Sequence, residues 1–180
     1  MKTQDVILVT EIDEPIGTME KMEAHQKGLL HRAFSVFIYN KQGKMLLQQR
    51  APEKYHGGTL WTNACCSHPF PGEGVEEAAL RRLKEELGFS TSLERIFSFT
   101  YKATVENNLI EHEYDHVFAG EFDGTIYINK EEVADYCYED MDRIKKALTE
   151  HPKKFTTWFR IVFPNIEAWW HKKYGIEVEK

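Results

Sequence analysis

Three cysteines in 180 residues are too few, and odd in number, to staple a secreted scaffold. Cys65, Cys66 and Cys137 show no framework spacing, which points to a reducing, cytoplasmic setting. Long apolar runs are missing as well. Val6–Val9 is too short for a signal-peptide core, and nothing further along could span a bilayer. There is no excess of positive charge: the formal charge is −6 and no basic tail offsets it. That argues against a nucleic-acid partner held by bulk electrostatics. An anionic small substrate would need a local basic patch or a bound metal. Repeats, linkers and low-complexity stretches are absent, so 1–180 reads as one domain with a substantial core.

What is present is a mixed pattern. Asp5–Thr10 reads as a strand and Asp13-Glu14-Pro15 as a turn. Thr18 to Gln26 reads as a short helix or loop. Ala33–Tyr39 is nearly all apolar, as in a strand buried on both faces, and a turn over 40–44 leads into Met45–Arg50. Val75–Leu87 carries Val75, Ala79, Leu80, Leu83 and Leu87 at helical spacing, with Gly88 at the C-terminal cap. Phe97–Ala103, Tyr114–Phe122 and Thr125–Ile128 suggest strands. Asp140–Leu148 suggests a helix, and Phe155–Trp170 a helical segment broken near Pro164.

Two stretches hold most of the chemistry. Thr62-Asn63-Ala64-Cys65-Cys66-Ser67-His68-Pro69 sets a thiol two residues before a histidine. Glu111-His112-Glu113 sets two carboxylates on one face if the segment is a strand. His25 and His31 lie upstream. Taken singly, each has an ordinary explanation. His25 could be a solvated histidine, His31 a strand-edge residue and Cys66 an inert buried thiol. Lys21, Arg50 and Lys54 could be solvated charges, Trp158 core, and Glu111 and Glu113 an exposed strand face.

Ser67 to Phe89 runs S-x5-E-x7-R-R-L-K-E-E-L-G-F. This resembles the Nudix box, G-x5-E-x7-R-E-U-x-E-E-x-G-U with U apolar. Glu73, Arg81, Leu83, Glu85, Glu86, Gly88 and Phe89 match. Ser67 replaces the first glycine, and Arg82 replaces a glutamate. Arg82 and Glu86 share a helix face, where a carboxylate can hold Mg²⁺ and an arginine can contact phosphate. Exchanging a metal-binding glutamate for a cation favours holding a diphosphate over cleaving it.

Thr62-Asn63-x-x-Cys66-x-His68-Pro69, Arg81-Arg82 and Glu111-x-Glu113 together resemble type I isopentenyl-diphosphate isomerase, a Nudix-fold family. The likeness runs from Gly17 to about Trp158. It implies an α/β (α+β) fold, an α/β/α sandwich around a mixed β-sheet. It implies interconversion of isopentenyl and dimethylallyl diphosphate in isoprene biosynthesis. It makes Cys66 and Glu113 the catalytic pair, with Tyr101 supporting the glutamate and Trp158 facing the isoprene unit. It assigns His25, His31, His68, Glu111 and Glu113 to one ion, Mn²⁺ or Mg²⁺, or Zn²⁺ as isolated. It assigns Glu86 to a Mg²⁺ that bridges to the diphosphate, and Lys21, Arg50, Lys54 and Arg82 to the diphosphate itself. The implied protein is cytoplasmic, a monomer or at most a weak dimer, with no nucleic-acid or membrane partner.

The chemistry agrees with those residue types. Moving an unactivated double bond requires a proton at one carbon and loss of another two carbons away, through a tertiary carbocation. Two acid–base groups must flank the chain, and an indole face can stabilise the cation by roughly 2 kcal/mol or more when desolvated. Two rivals remain: a Nudix hydrolase of a nucleoside diphosphate derivative, and a non-catalytic diphosphate-sensing module. Arg82 speaks against the first, and the presence of both Cys66 and Glu113 against the second. His56, His112, His116, His151 and His171 receive no role.

Overall fold

A computed structural model describes residues 4–175. Among them nine strands form one mixed sheet: β1 (Asp5–Val9), β2 (Pro15–Glu20), β3 (His31–Tyr39), β4 (Met45–Arg50), β5 (Trp61–Thr62), β6 (Cys65–Ser67), β7 (Glu94–Thr104), β8 (Ile110–Glu121) and β9 (Val133–Glu139). The helices are α1 (Lys21–Lys27), α2 (Val75–Leu87), α3 (Met141–Glu150) and α4 (Thr157–Tyr174).

β3 is the spine. It runs parallel to β8 and antiparallel to β1, β4 and β6. Its alternation supplies both faces. Phe37 and Tyr39 join Val117, Ile144, Phe159 and Val162 in one core, under α3 and α4. Phe34, Val36 and Ile38 join Ala79, Leu83 and Leu87 in the other, under α2. The result is the expected α/β/α sandwich. Each fully buried Phe, Leu or Ile contributes about 1.5–3 kcal/mol. α2 spans the expected residues and stops at Gly88, whose φ of 73° suits glycine. A Cβ there would lie 2.7 Å from the Tyr127 carbonyl oxygen.

Three expectations need correction, and one strand is additional. The segment read as helix or loop over Thr18 to Gln26 divides into the end of β2 and α1. Thr125–Ile128 is no strand. The Tyr127 and Asn129 amides donate to the carbonyls of Leu87 and Glu86, closing the end of α2. β9 was not expected; it pairs with β4 along Met45–Arg50. α4 passes through Pro164 without a break. Pro164 is exposed, while Phe159, Val162, Phe163 and Ile166 anchor the turns on both sides in the core. That packing outweighs the lost backbone donor. Among the described residues no helix is long and apolar enough to cross a membrane.

Candidate active site

Strand register assembles the site. His31 of β3 and Tyr101 of β7 both lie opposite Glu113 of β8. Alternation places Glu111, Glu113 and Asp115 on the α4-facing side with Val117 and Ala119. β6 sets Cys66 opposite Ser35. Helix α1 brings in His25, whose Nδ1 lies 2.6 Å from the Lys21 carbonyl, leaving Nε2 free.

His25, His31, His68 and Glu113 converge as buried donors. The Nε2 atoms of His31 and His68 are 3.2 Å apart, and Glu113 Oε1 is 3.4 and 3.0 Å from them. Three imidazoles and a carboxylate, with the His25 Nε2 lacking any hydrogen-bond partner, fit a divalent ion. Glu111 stands one step away. It groups with His25 and with His56, whose Nε2 is 3.0 Å from its Oε1. The Tyr101 hydroxyl joins the two halves, donating to Glu113 Oε2 at 2.7 Å and Glu111 Oε2 at 3.0 Å. Burial pushes His68 down to about 3 and also lowers His25. Burial opposes charge on Glu113 too, but hydrogen bonds from His31 and His68 outweigh it and hold the carboxyl well below the usual range. His31 is raised: Glu113 overcomes its burial.

Cys66 lies beside this cluster. Its Sγ is 3.2 Å from Asn63 Oδ1 and 3.4 Å from Ser35 Oγ. The wholly buried Asn63 amide donates to the carbonyls of Val36 and Cys65, which fixes the acceptor under the thiol. Ser35 in turn donates to buried Asp115 at 2.7 Å. Burial, then the Asp115 charge, pushes the Cys66 thiol up, so it stays protonated. Cys66, Glu113, Tyr101 and Trp158 line one cavity of about 30 Å³. Trp158 is buried, and the Arg50 guanidinium lies 5.0 Å from its ring centre.

A second cavity, of about 110 Å³, shares Arg50, Tyr55, Cys66 and His68 with the first. Lys21, Arg50, Lys54 and Arg82 all line it, opposed by the single carboxylate of Glu132. Burial and then the neighbouring cations lower Lys21 to about 8. Glu86 sits outside both donor clusters, behind Arg82, with its oxygens 2.9 Å from Arg82 Nη2 and 3.3 Å from Gln48 Nε2.

Twelve of the thirteen expected residues line these two cavities or belong to the donor clusters; Glu86 does not, and Glu111 stands apart from the four converging donors. The sequence reading missed Ser35, Asp115, His56 and Glu132. Asp115 had a signal, since it continues the two-residue period of Glu111 and Glu113. His56 and Glu132, in polar loop sequence, had none. His112 and His116 turn to the opposite side, bonding the Gly28 carbonyl and Asp13.

The NUDIX domain model matches residues 29–159. The solved structure of DR0079 from Deinococcus radiodurans superposes with a TM-score of 0.75 at 18% identity, covering 90% of this chain and 98% of that one. A MutT protein from Methanosarcina mazei gives 0.64 at 18% identity, covering 77% and 94%. These show a shared fold. Sequence relatives are nearer. Isopentenyl-diphosphate Delta-isomerase of Pectobacterium atrosepticum is 49% identical over 94% of this chain and 95% of its own length. Isopentenyl-diphosphate Delta-isomerase 2 of Photorhabdus laumondii is 47% identical over 91% and 96%. Identity at that level, end to end, places more than the fold: the chain belongs to the isopentenyl-diphosphate Delta-isomerase family of Nudix-domain proteins.

Proposed function

We propose that this protein interconverts isopentenyl and dimethylallyl diphosphate, with Cys66 and Glu113 as the acid–base pair. One observation carries the reading. A buried thiol and a buried carboxylate line a small cavity that adjoins a second one lined by four cations. The cations suit a diphosphate, and the small cavity suits a short uncharged chain. The small cavity has room for about a water or two, so side chains at its wall must move to admit five carbons.

The reaction is a balanced proton exchange. One group of the pair gives a proton to a terminal alkene carbon, and a tertiary cation forms. The other removes a proton two carbons away, and the displaced double bond closes. Each group then holds the other's starting state, and exchange with solvent resets the site. Trp158 presents an indole to the cation. Tyr101 fixes the Glu113 carboxylate by its 2.7 Å hydrogen bond. Water must be displaced from the cavity when substrate enters, because it would trap the cation as an alcohol.

His25, His31, His68 and Glu113, with Glu111 beside them, hold Mn²⁺ or Mg²⁺, or Zn²⁺ as isolated. An ion held there would stabilise the Glu113 anion. Glu86, now paired with Arg82, would hold a Mg²⁺ that supplies charge to the diphosphate. Two cores on one shared sheet support a single domain over 1–180. The chain acts in the cytoplasm, as a monomer or weak dimer, and without nucleic acid.

The test is proton NMR of isopentenyl diphosphate with the protein and Mg²⁺ in D₂O. Dimethylallyl diphosphate carrying solvent deuterium is expected. Isomer without deuterium would sink the acid–base scheme, and phosphate release at a comparable rate would establish a hydrolase.

A further inference from the structure

We propose that His56 is a further metal ligand, which with Glu111 completes a six-donor set of four imidazoles and two carboxylates around one ion. The inference rests on the metal centre of the preceding section and extends it by a residue in the loop after β4.

His56 is 3% exposed, and its Nε2 has no hydrogen-bond partner among the described residues. Yet that nitrogen lies 3.0 Å from Glu111 Oε1. Two polar atoms so close, but not aligned as donor and acceptor, are what two ligands of one ion look like without the ion. The spacing of the other donors points the same way. For bonds of about 2.1 Å, neighbouring donors of an octahedral ion lie about 3.0 Å apart and opposite donors about 4.2 Å apart. The separations here are 3.0 Å for His68–Glu113, 3.2 Å for His31–His68, 3.4 Å for His31–Glu113 and 3.9 Å for His25–Glu113. The His56–Glu111 pair matches the neighbouring spacing.

The two donor groups share His25. Its Nδ1 is taken by the Lys21 carbonyl, so a single lone pair, on Nε2, serves both groups. One lone pair binds one ion. The groups are therefore two halves of one site, and metal draws them together across the Tyr101 bridge. The loop is built to present the ring. Arg50 Nη2 donates to the His56 carbonyl at 3.0 Å. Tyr55 and Trp158 meet the imidazole edge to face, with centroids 4.2 and 5.6 Å away.

Four imidazoles select ions that accept nitrogen, such as Mn²⁺, Fe²⁺, Co²⁺ or Zn²⁺, over Mg²⁺. Six protein donors also leave no position for a water on the ion, in keeping with a reaction that must avoid hydration.

The test loads metal-free protein with Co²⁺ and reads stoichiometry, affinity and the visible absorption bands, whose intensity rises when six-coordination falls to five. Wild type should bind one ion with the weak bands of six donors. His56→Ala should bind one ion about tenfold or more weakly, with stronger bands. His56→Gln, which keeps bulk and offers a hydrogen-bond donor to Glu111, should behave like the alanine variant. If His56→Gln keeps the wild-type spectrum and affinity, His56 only orients Glu111 and the proposal is overturned. An unchanged spectrum in both variants, or two ions in wild type, overturns it as well. Wild type binding no Co²⁺ at all would overturn the metal centre itself, before any variant is made.

Discussion

Cys65 and Cys66 are adjacent in β6 and open to opposite sides of the sheet. Cys65 is fully buried in the α2 core, and Cys66 lines the small cavity beside Glu113. The two thiols should separate cleanly. Cys66→Ala should lose activity by about 10²–10⁴-fold with its melting temperature little changed. Cys65→Ala should stay active and lose about 1 kcal/mol of stability from the space left behind. Steady-state kinetics and thermal melts decide. Activity in Cys66→Ala with a dead Cys65→Ala would mean the assignment is one residue out of register.

Arg82 holds Glu85, Glu86 and Glu132 together while facing the cation-lined cavity. Arg82→Glu restores the Nudix pattern but sets four carboxylates side by side, with Glu86 buried. It should cost about 3–5 kcal/mol of stability, as breaking a buried pair does. Arg82→Gln removes the charge more gently and should raise the Michaelis constant about tenfold or more with less loss of stability. An unchanged Michaelis constant in Arg82→Gln would remove Arg82 from the phosphate contacts. Neither variant should become an efficient hydrolase.

Lys21 is lowered from 10.5 to about 8, by burial and then by Lys54, Arg82 and Arg50. Below pH 8 the folded chain carries this charge at a cost. Between about 8 and 10.5 the unfolded chain binds more protons than the folded one, so this group makes stability rise with pH there. Diphosphate binding should move the other way, weakening above pH 8 as the cation is lost. Lys21→Met should therefore stabilise the free protein by about 1–3 kcal/mol and weaken inorganic pyrophosphate binding. Denaturant titration and calorimetry should report opposite signs.

Metal uptake should depend chiefly on one histidine. Burial lowers His25 and pushes His68 down to about 3, whereas Glu113 raises His31 above its usual range. Lowering the pH from neutral should weaken metal binding as His31 gains its proton, and binding near pH 6 should release about one proton. Calorimetry in buffers of different ionisation enthalpy measures that number. Release of three would show that all three imidazoles start charged.

The elements with strong periodicity were legible: β3, the β3–β4 turn and α2 lie where the residue pattern puts them. The elements that escaped rely on partners far along the chain. β9 buries only Val133 and is a strand because β4 offers it an edge. The helix through Pro164 depends on a core that local sequence does not display. The side chains proposed for catalysis were picked out through their order in a family pattern. The residues that hold them were less legible, because Ser35, Asp115 and His56 act through neighbours only the fold supplies. The half-buried Leu80 and the buried Glu86 also shift the face of α2 expected from spacing alone.

Opposition of His31 to Glu113 across parallel strands has a consequence for folding. Parallel pairing is set late and can slip, and a slip of one residue reverses every side chain. A β8 displaced by one step would aim His112 and Tyr114 into the site and break the donor set. A divalent ion bound by that donor set would therefore reward one alignment of β3 with β8 and no other, by RT ln(1 + [M]/Kd). The ion would serve as a proofreader of strand assembly, so refolding with metal present should yield a larger correctly paired fraction than adding metal afterwards.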